Sequence, residues 1–330
     1  MKIDFVVTWV DGSDEKWQEE KNFFLSKKNK NFLNDESRYR DFNFFKFWFR
    51  SVEKYAPWVN KIFLITAGHT PEWLNLYSEK LVVISHREYI PDKYLPTFNS
   101  NVIELNLHRI DQLSEHFVLF NDDVYLNNPV QPSDFFLKGL PREIAVYSLI
   151  SPVDEFSMIM LNNIRIINKN FSKYRNIKNH PRKIFNLRYG PKLFNTIYTL
   201  ITRSYTGYYE QHITSSMLKS TFTEVWEKEY ETMEETSLHR FREMTDVNQW
   251  LIKYWNIETD KFEPQNINFG KAYSMNDYTG IKKCLFNSSK KIICINDTSL
   301  INHDSEKVSD RVSDFLMKKF PDKSIFEKKE

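Results

Sequence analysis

The tripeptide Asn121-Asp122-Asp123 interrupts an apolar stretch, following Phe117-Val118-Leu119-Phe120 and preceding Val124-Tyr125-Leu126. Asn and Asp are favoured in turns, so a tight hairpin accounts for the string. Two adjacent carboxylates at a strand end also repel each other unless a cation lies between them, which makes the same string a candidate hard-metal site. A second apolar run, Ile292-Ile293-Cys294-Ile295, ends the same way in Asn296-Asp297. Two such ends meeting at one Mg²⁺ or Mn²⁺ would leave coordination positions for phosphate oxygens. Asp122, Asp123 and Asp297 are therefore the predicted metal residues.

Arg242 stands three residues before Thr245, which is read as the cap of a helix carrying Val247, Trp250, Leu251, Tyr254 and Trp255. A guanidinium beside a helix N-terminus makes an anion site, and its fork suits a phosphoryl group in transfer. A solvent-facing arginine paired with Glu243 or Asp246 is the plain alternative. His212 precedes a helical pattern read from residue 214, where its imidazole could take a hydroxyl proton near neutral pH. Near the string Leu95-Pro96-Thr97-Phe98-Asn99-Ser100, the groups Thr97, Asn99 and Ser100 offer sugar-sized hydrogen-bonding partners at a predicted helix start, with Ser100 as its cap. Glu104 and His108 follow one turn apart on one face, beside Arg109. His86 and His239 are read as structural.

These residues need a frame. Short apolar runs at Asp4 to Val10, Lys61 to Thr66, Leu81 to Ser85 and His116 to Phe120 alternate with helical patterns, which predicts an α/β fold with a mostly parallel sheet. Phe42, Phe45, Phe49 and Val52 recur at helical spacing up to Ala56, before Pro57. In such sheets ligands bind beyond the carboxyl ends of the strands, which here read Trp9-Val10-Asp11, Thr66-Ala67-Gly68-His69, Ser85-His86 and Asn121-Asp122-Asp123. From residue 214 onward the pattern reads as helical, with Met217, Leu218, Phe222, Val225, Trp226 and Tyr230 in one stripe. A hairpin is predicted from Lys282 to Ile295, and Val308 to Phe320 form a closing amphipathic helix. The expected organisation is an α/β part at 1–130, a basic insertion at 131–211 that is irregular or partly helical, and a helical and hairpin part at 212–330 completing one catalytic unit.

Composition narrows the chemistry. The 330 residues include seven glycines, none within six positions of another, which excludes G-x-G-x-x-G, the G-x-x-x-x-G-K phosphate loop and the G-x-S-x-G elbow. Phosphates must then be gripped by arginine, lysine, helix ends or metal. Two cysteines cannot build a disulfide framework or a four-cysteine zinc site, which fits a reducing compartment. Mean hydropathy is −0.55, no run approaches the ~18 apolar residues of a membrane span, and the first apolar run meets acid at Asp11, against a signal peptide. A cytoplasmic protein is expected. The net charge of +2 hides a segment, Leu161 to Tyr209, with ten Lys and Arg and no carboxylate. A solvated basic excursion accounts for it, as does a surface for membrane headgroups or an acidic glycan. No nucleic-acid module surrounds it, so no nucleic-acid partner is expected.

Together the strings resemble the Stealth family of sugar-1-phosphate transferases, which includes bacterial capsule and exopolysaccharide phosphotransferases and the lysosomal-enzyme GlcNAc-1-phosphotransferase. The matching stretches run from Ile3 through Asp14, Ser37-Arg38-Tyr39-Arg40-Asp41, Arg50 to Trp58, Pro71 to Leu74, Leu95 to Ser100, Leu107 to Ile110, Phe120 to Val124, His212 to Arg242 with Asp246, and Cys294 to Asp297. The resemblance implies a fold similar to the glycosyltransferase A type, a UDP-hexose or UDP-N-acetylhexosamine donor, a divalent metal and a glycan or lipid-linked glycan acceptor. Carried over by position, Asp11, Arg38 and Asp41 look like donor-site residues, Asp122 and Asp123 metal residues, and His212, Arg242 and Asp297 catalytic ones. Two rivals stand beside this reading: a metal-dependent glycosyltransferase attacking the anomeric carbon and releasing UDP, and a non-catalytic glycan- or membrane-binding module.

Overall fold

The computed structural model describes residues 1–25, 42–296 and 305–329; Arg38, Asp41 and Asp297 lie outside the described residues. The strands are β1 (Ile3–Thr8), β2 (Ile62–Thr66), β3 (Leu81–Ser85), β4 (His116–Asn121), β5 (Val124–Leu126), β6 (Phe136–Leu137), β7 (Leu140–Glu143), β8 (Ser215–Leu218), β9 (Glu263–Pro264), β10 (Gly270–Ser274) and β11 (Ile292–Asn296). The central sheet has the order β3-β2-β1-β4-β8, with β1 to β4 mutually parallel and β8 antiparallel to β4. The four early strands match the expected α/β pattern. They are apolar on both faces because both faces are covered. Along β1, Phe5 and Val7 face a core shared with the helix Phe45–Tyr55 and with β11, while Val6 faces a second core built on the helix Trp250–Glu258.

A three-stranded sheet, β10-β11-β5, completes the first core. It replaces the predicted hairpin. Residues Tyr278–Asn287 form a helix, capped by the Asp277 carboxylate at Gly280 N–H (2.8 Å), and its buried face is Ile281, Cys284 and Leu285. Only the second half of the predicted hairpin is a strand, and β11 finds its antiparallel partner in β5, pairing Cys294 with Val124 and Ile292 with Leu126. The closing helix Ser305–Lys319 is as expected. The tail after it is pinned by Arg50, whose buried guanidinium grips both carboxylate oxygens of Glu327 (2.8 and 2.6 Å) and the Phe320 carbonyl (2.9 Å).

Two further expectations fail. Residues after His212 enter β8, not a helix, and helices start only at Lys219 (Lys219–Lys228) and Tyr230 (Tyr230–Leu238). Met217 and Leu218 satisfy the helical spacing, but docking beside β4 decides the matter. Thr245 does not cap the next helix, which begins at Trp250.

The basic segment is mostly helical, in pieces at Glu155–Asn170, Lys173–Asn179, Pro181–Ile184 and Leu193–Thr199, and it is anchored. Glu258, buried on the helix Trp250–Glu258, accepts hydrogen bonds from Tyr208 Oη (2.7 Å), Asn176 Nδ2 (2.7 Å), Tyr147 Oη (3.3 Å) and Tyr205 Oη. Burial outweighs these donors and pushes the carboxyl up from its ordinary 4.5 to about 7. A carboxyl raised on folding contributes stability that is complete below pH 4.5 and is lost as pH rises through 7, by roughly 3 kcal/mol for a shift of this size. Urea unfolding at a series of pH values should therefore show a loss of stability from pH 5 to pH 7.5 that is smaller by about that amount in Glu258→Gln. An identical slope in the variant would assign the loss to other carboxyls.

Candidate active site

The chain runs from β1 outward through β2 and β3, then returns to place β4 on the opposite side of β1. The strand order reverses there, and in open sheets of this kind the loops flanking such a reversal diverge to leave a crevice at the carboxyl ends of the strands. Asp11 follows β1 and Asp122-Asp123 follow β4, so the reversal puts these acids at one crevice. Antiparallel β8 reaches the same edge with its amino end, Ser215 lying opposite Leu119, and brings His212 with it.

Asp123 is the most constrained of these residues. Its Oδ2 accepts from the Cys294 thiol (3.3 Å) and lies 3.8 Å from His212 Nε2, itself 3.4 Å from Asn121 Nδ2. One ligand atom each from Asp123, His212 and Cys294 fits within 4.8 Å. Asp123 Oδ1 is buried with no hydrogen-bond partner. Burial raises the carboxyl above its ordinary value, against the pull of His212 and the thiol, while Cys294 is pushed well above the ordinary thiol range. Asp4, fully buried at the other end of β1, shows the contrast: its carboxylate receives Asn60 Nδ2 (2.6 Å), Ser114 N–H (2.8 Å) and Lys61 N–H (3.1 Å). A carboxylate saturated by donors is structural, whereas a buried oxygen without one fits a cation. The Cys294 thiol is engaged as a donor to Asp123 Oδ2, and carboxylate oxygens are the donors that suit a hard metal. Ile295 N–H donates to the Asp123 carbonyl (3.0 Å), so β11 ends at Asn296 beside Asp122-Asp123. The described part of this strand end reaches Asp122-Asp123 as far as Asn296; Asp297 lies outside the described residues.

Next to the crevice, Asp11 accepts from Ser13 N–H (2.8 Å) and Oγ (2.6 Å), and its own N–H donates to His69 Nε2 (2.8 Å). Gly68, at φ +114°, supplies the turn that presents His69. Burial lowers the His69 imidazole below its ordinary value, opposed by Asp14 and Asp11. Trp9 stacks on Phe45 (5.7 Å, 6°) and meets His69 edge-on (5.5 Å).

A second cluster sits over this edge. Phe98 and Phe241 stack (5.2 Å) and pack with Trp17, Val10 and Ala67, which ties the loops before Ser100 and before Arg242 to the ends of β1 and β2. Asn99 caps the short helix Ser100–Leu105 by accepting Asn101 N–H (3.0 Å). Ser100 is thereby released from the capping role expected of it, and its Oγ accepts from the half-buried Arg242 guanidinium (2.5 Å). Glu104 is buried near them; burial pushes its carboxyl up to about 7, opposed by Arg242 and Ser100. Thr97 is buried, and its Oγ1 accepts Asn99 N–H (3.3 Å).

Asp246, read in the sequence only as a possible partner of Arg242 and in the family match, is the centre of this cluster. Fully buried Asp246 accepts from Asn99 Nδ2 (2.8 Å), Asn101 Nδ2 (3.0 Å) and Glu243 N–H (3.2 Å), and its other oxygen lies 2.7 Å from His239 Nδ1. A His-Asp pair seven residues apart on a loop has no periodic signature. The spacing did not reveal it. His108 and Arg109 are placed differently from the single-face picture, because the helix ends at Leu105. The His108 ring stacks on Phe222 (6.1 Å), where burial lowers it to about 4, and Arg109 lies over Trp226 (4.7 Å) and donates to Asn106 Oδ1 (2.8 Å).

Fold and site together define an α/β protein that carries Asp11 and Asp122-Asp123 at the carboxyl edge of adjacent parallel strands, with the His212 imidazole beside Asp123. Three family models match the chain: Stealth protein CR1, conserved region 1, over residues 1–29; CR2, conserved region 2, over 38–143; and CR4, conserved region 4, over 284–330. The chain is 48% identical over 331 residues to a capsular polysaccharide phosphotransferase WcwK of Streptococcus pneumoniae, covering 99% of this chain and 98% of that one. It is 41% identical to the exopolysaccharide phosphotransferase cps2G of Lactiplantibacillus plantarum, covering 99% and 96%. With the receptor polysaccharide phosphotransferase WefC of Streptococcus gordonii the identity is 42%, covering 99% of both chains. The chain belongs to the Stealth family. Among solved structures, galactosyltransferase LgtC in complex with donor and acceptor sugar analogs aligns at 9% identity over 96% of this chain and 95% of that one, with a TM-score of 0.40. Among the described residues no helix is long and apolar enough to cross a membrane.

Proposed function

We propose that this transferase moves a hexose- or N-acetylhexosamine-1-phosphate from a UDP-sugar to a glycan hydroxyl in the cytoplasm, for capsule or exopolysaccharide synthesis. The observation that carries the reading is the end-to-end likeness to capsular and exopolysaccharide phosphotransferases at 41–48% identity. The crevice at the strand reversal supports it. The acceptor oxygen attacks the β-phosphorus, an O–P bond forms, and the bond to the bridging oxygen breaks, releasing UMP with the electron pair. The acceptor proton passes to His212 or Asp297, and the Arg242 fork donates to the phosphoryl oxygens. Asp122, Asp123 and Asp297 would hold a divalent cation, Mg²⁺ or Mn²⁺, which when bound supplies neutralising charge at diphosphate oxygens. Asp11, Arg38, Asp41, Thr97, Asn99 and Ser100 are proposed to line the donor side, with His108 and Arg109 holding it from behind.

Phosphorus NMR on a panel of UDP-sugars with a glycan acceptor, with and without EDTA, tests the reaction. A new phosphodiester resonance together with UMP is expected, and EDTA should abolish both. Release of UDP instead would replace this reading with attack at the anomeric carbon. Glycan binding that EDTA leaves intact, with no donor turnover, would replace it with a binding module.

A further inference from the structure

The helix Leu193–Thr199 is inside out. Its hydroxyl side is buried: Thr196 Oγ1 accepts Tyr147 N–H (3.1 Å), and Thr199 Oγ1 donates to the Thr196 carbonyl (2.8 Å). Phe194, Ile197 and Tyr198, spaced i, i+3 and i+4, share the opposite face and point to solvent, Phe194 being 72% exposed, and Ile201 in the turn just after the helix is 77% exposed. Leu187, 89% exposed, comes from the preceding 3₁₀ turn. The orientation is locked. Buried Lys173 donates to the carbonyls of Thr199 (2.8 Å) and Ser204 (3.0 Å) and to Thr202 Oγ1 (2.7 Å), closing the end of the helix onto the protein.

The surroundings are basic. Tyr174 Oη donates to the Leu200 carbonyl (2.8 Å), which sets the helix Lys173–Asn179 against this end and brings exposed Arg175 and Lys178 alongside. Exposed Arg203 follows two residues after Ile201. Among the described residues no carboxylate pairs with these three cations, and the chain from Leu161 to Tyr209 contains none.

We propose that this face docks on an anionic phospholipid bilayer, with Phe194, Ile197, Tyr198 and Ile201 entering the headgroup boundary and Arg175, Lys178 and Arg203 meeting phosphate. Large apolar side chains exposed in a row mark a contact surface, and a lysine and arginine rim around them is the composition of interfacial helices. A second copy would bring two carboxylate-free segments of like charge together. An acidic glycan satisfies the cations but leaves phenylalanine and isoleucine in water. A bilayer accommodates both.

Sedimentation of the full chain with sucrose-loaded vesicles tests the assignment, using phosphatidylcholine alone and equal parts of phosphatidylcholine and phosphatidylglycerol. The chain should pellet with the anionic vesicles and remain largely in solution with the neutral ones. Phe194→Ser combined with Ile201→Ser should lower the vesicle partition coefficient at least tenfold, as should Arg175→Glu combined with Lys178→Glu and Arg203→Glu, with thermal unfolding unchanged. Failure to pellet with anionic vesicles overturns the proposal, as does undiminished binding by either variant. A dimer seen by light scattering that Phe194→Ser with Ile201→Ser dissolves, without vesicle binding by the parent, would give the face to a second copy.

Discussion

Asp123→Asn is expected to lower donor turnover by about 10³-fold while leaving the metal-free protein at least as stable as the parent. A bound divalent cation supplies several kcal/mol of charge stabilisation, and each 1.36 kcal/mol is a factor of ten in rate, which gives that order of loss. The stability half of the prediction comes from Oδ1, buried without a donor, on a carboxyl that burial already raises. An amide of the same shape removes the charge from that position, and its oxygen still accepts the Cys294 thiol. Initial rates followed by UMP release and urea unfolding of both proteins measure the two halves. The parent should gain stability with added Mg²⁺ or Mn²⁺, by about 2.7 kcal/mol at a hundred times the dissociation constant, and the variant should not. Turnover within tenfold of the parent would remove Asp123 from the metal site, and a large loss of metal-free stability would make its role structural.

Much of the frame was legible because it rests on local pattern. β1 to β4 are short apolar runs between helical stretches, and the helix Phe45–Tyr55 ends where Pro57 predicts. The acids at the carboxyl edge were legible too, since Asp122-Asp123 directly follow β4 and Asp11 comes three residues after β1. What the pattern could not supply was pairing at long range. Met217 and Leu218 carry helical spacing, yet an open edge of β4 converts them to strand. Cys284 lies on a helix and Cys294 on a strand although both segments read alike, because β5 selects only the second as its partner. Cys294 reaches Asp123 through that ladder across 171 residues, and no local signal announces it. The cluster of Asn99, Asn101, His239 and Asp246 is hidden for the same reason: its members become informative only once Phe98 and Phe241 stack.

Arg242→Lys should cost ~10³ to 10⁵ in turnover, the range measured for arginines that meet a phosphoryl group in transfer. Lysine keeps the positive charge near Glu104, whose carboxyl burial raises and Arg242 lowers, so the local fold should persist and unfolding should change little. What lysine lacks is the planar fork of several donors, one of which reaches Ser100 Oγ. Ser100→Ala separates this reading from a packing role. It removes the acceptor that holds the guanidinium at 2.5 Å but leaves the guanidinium itself, so its loss should be about tenfold, the effect of looser positioning of a group still present. If Arg242 worked only by anchoring Ser100 and the helix it begins, the two variants would lose activity equally and both would unfold earlier. Unequal losses with matched unfolding curves place the guanidinium on the substrate; near-normal turnover in Arg242→Lys places it elsewhere.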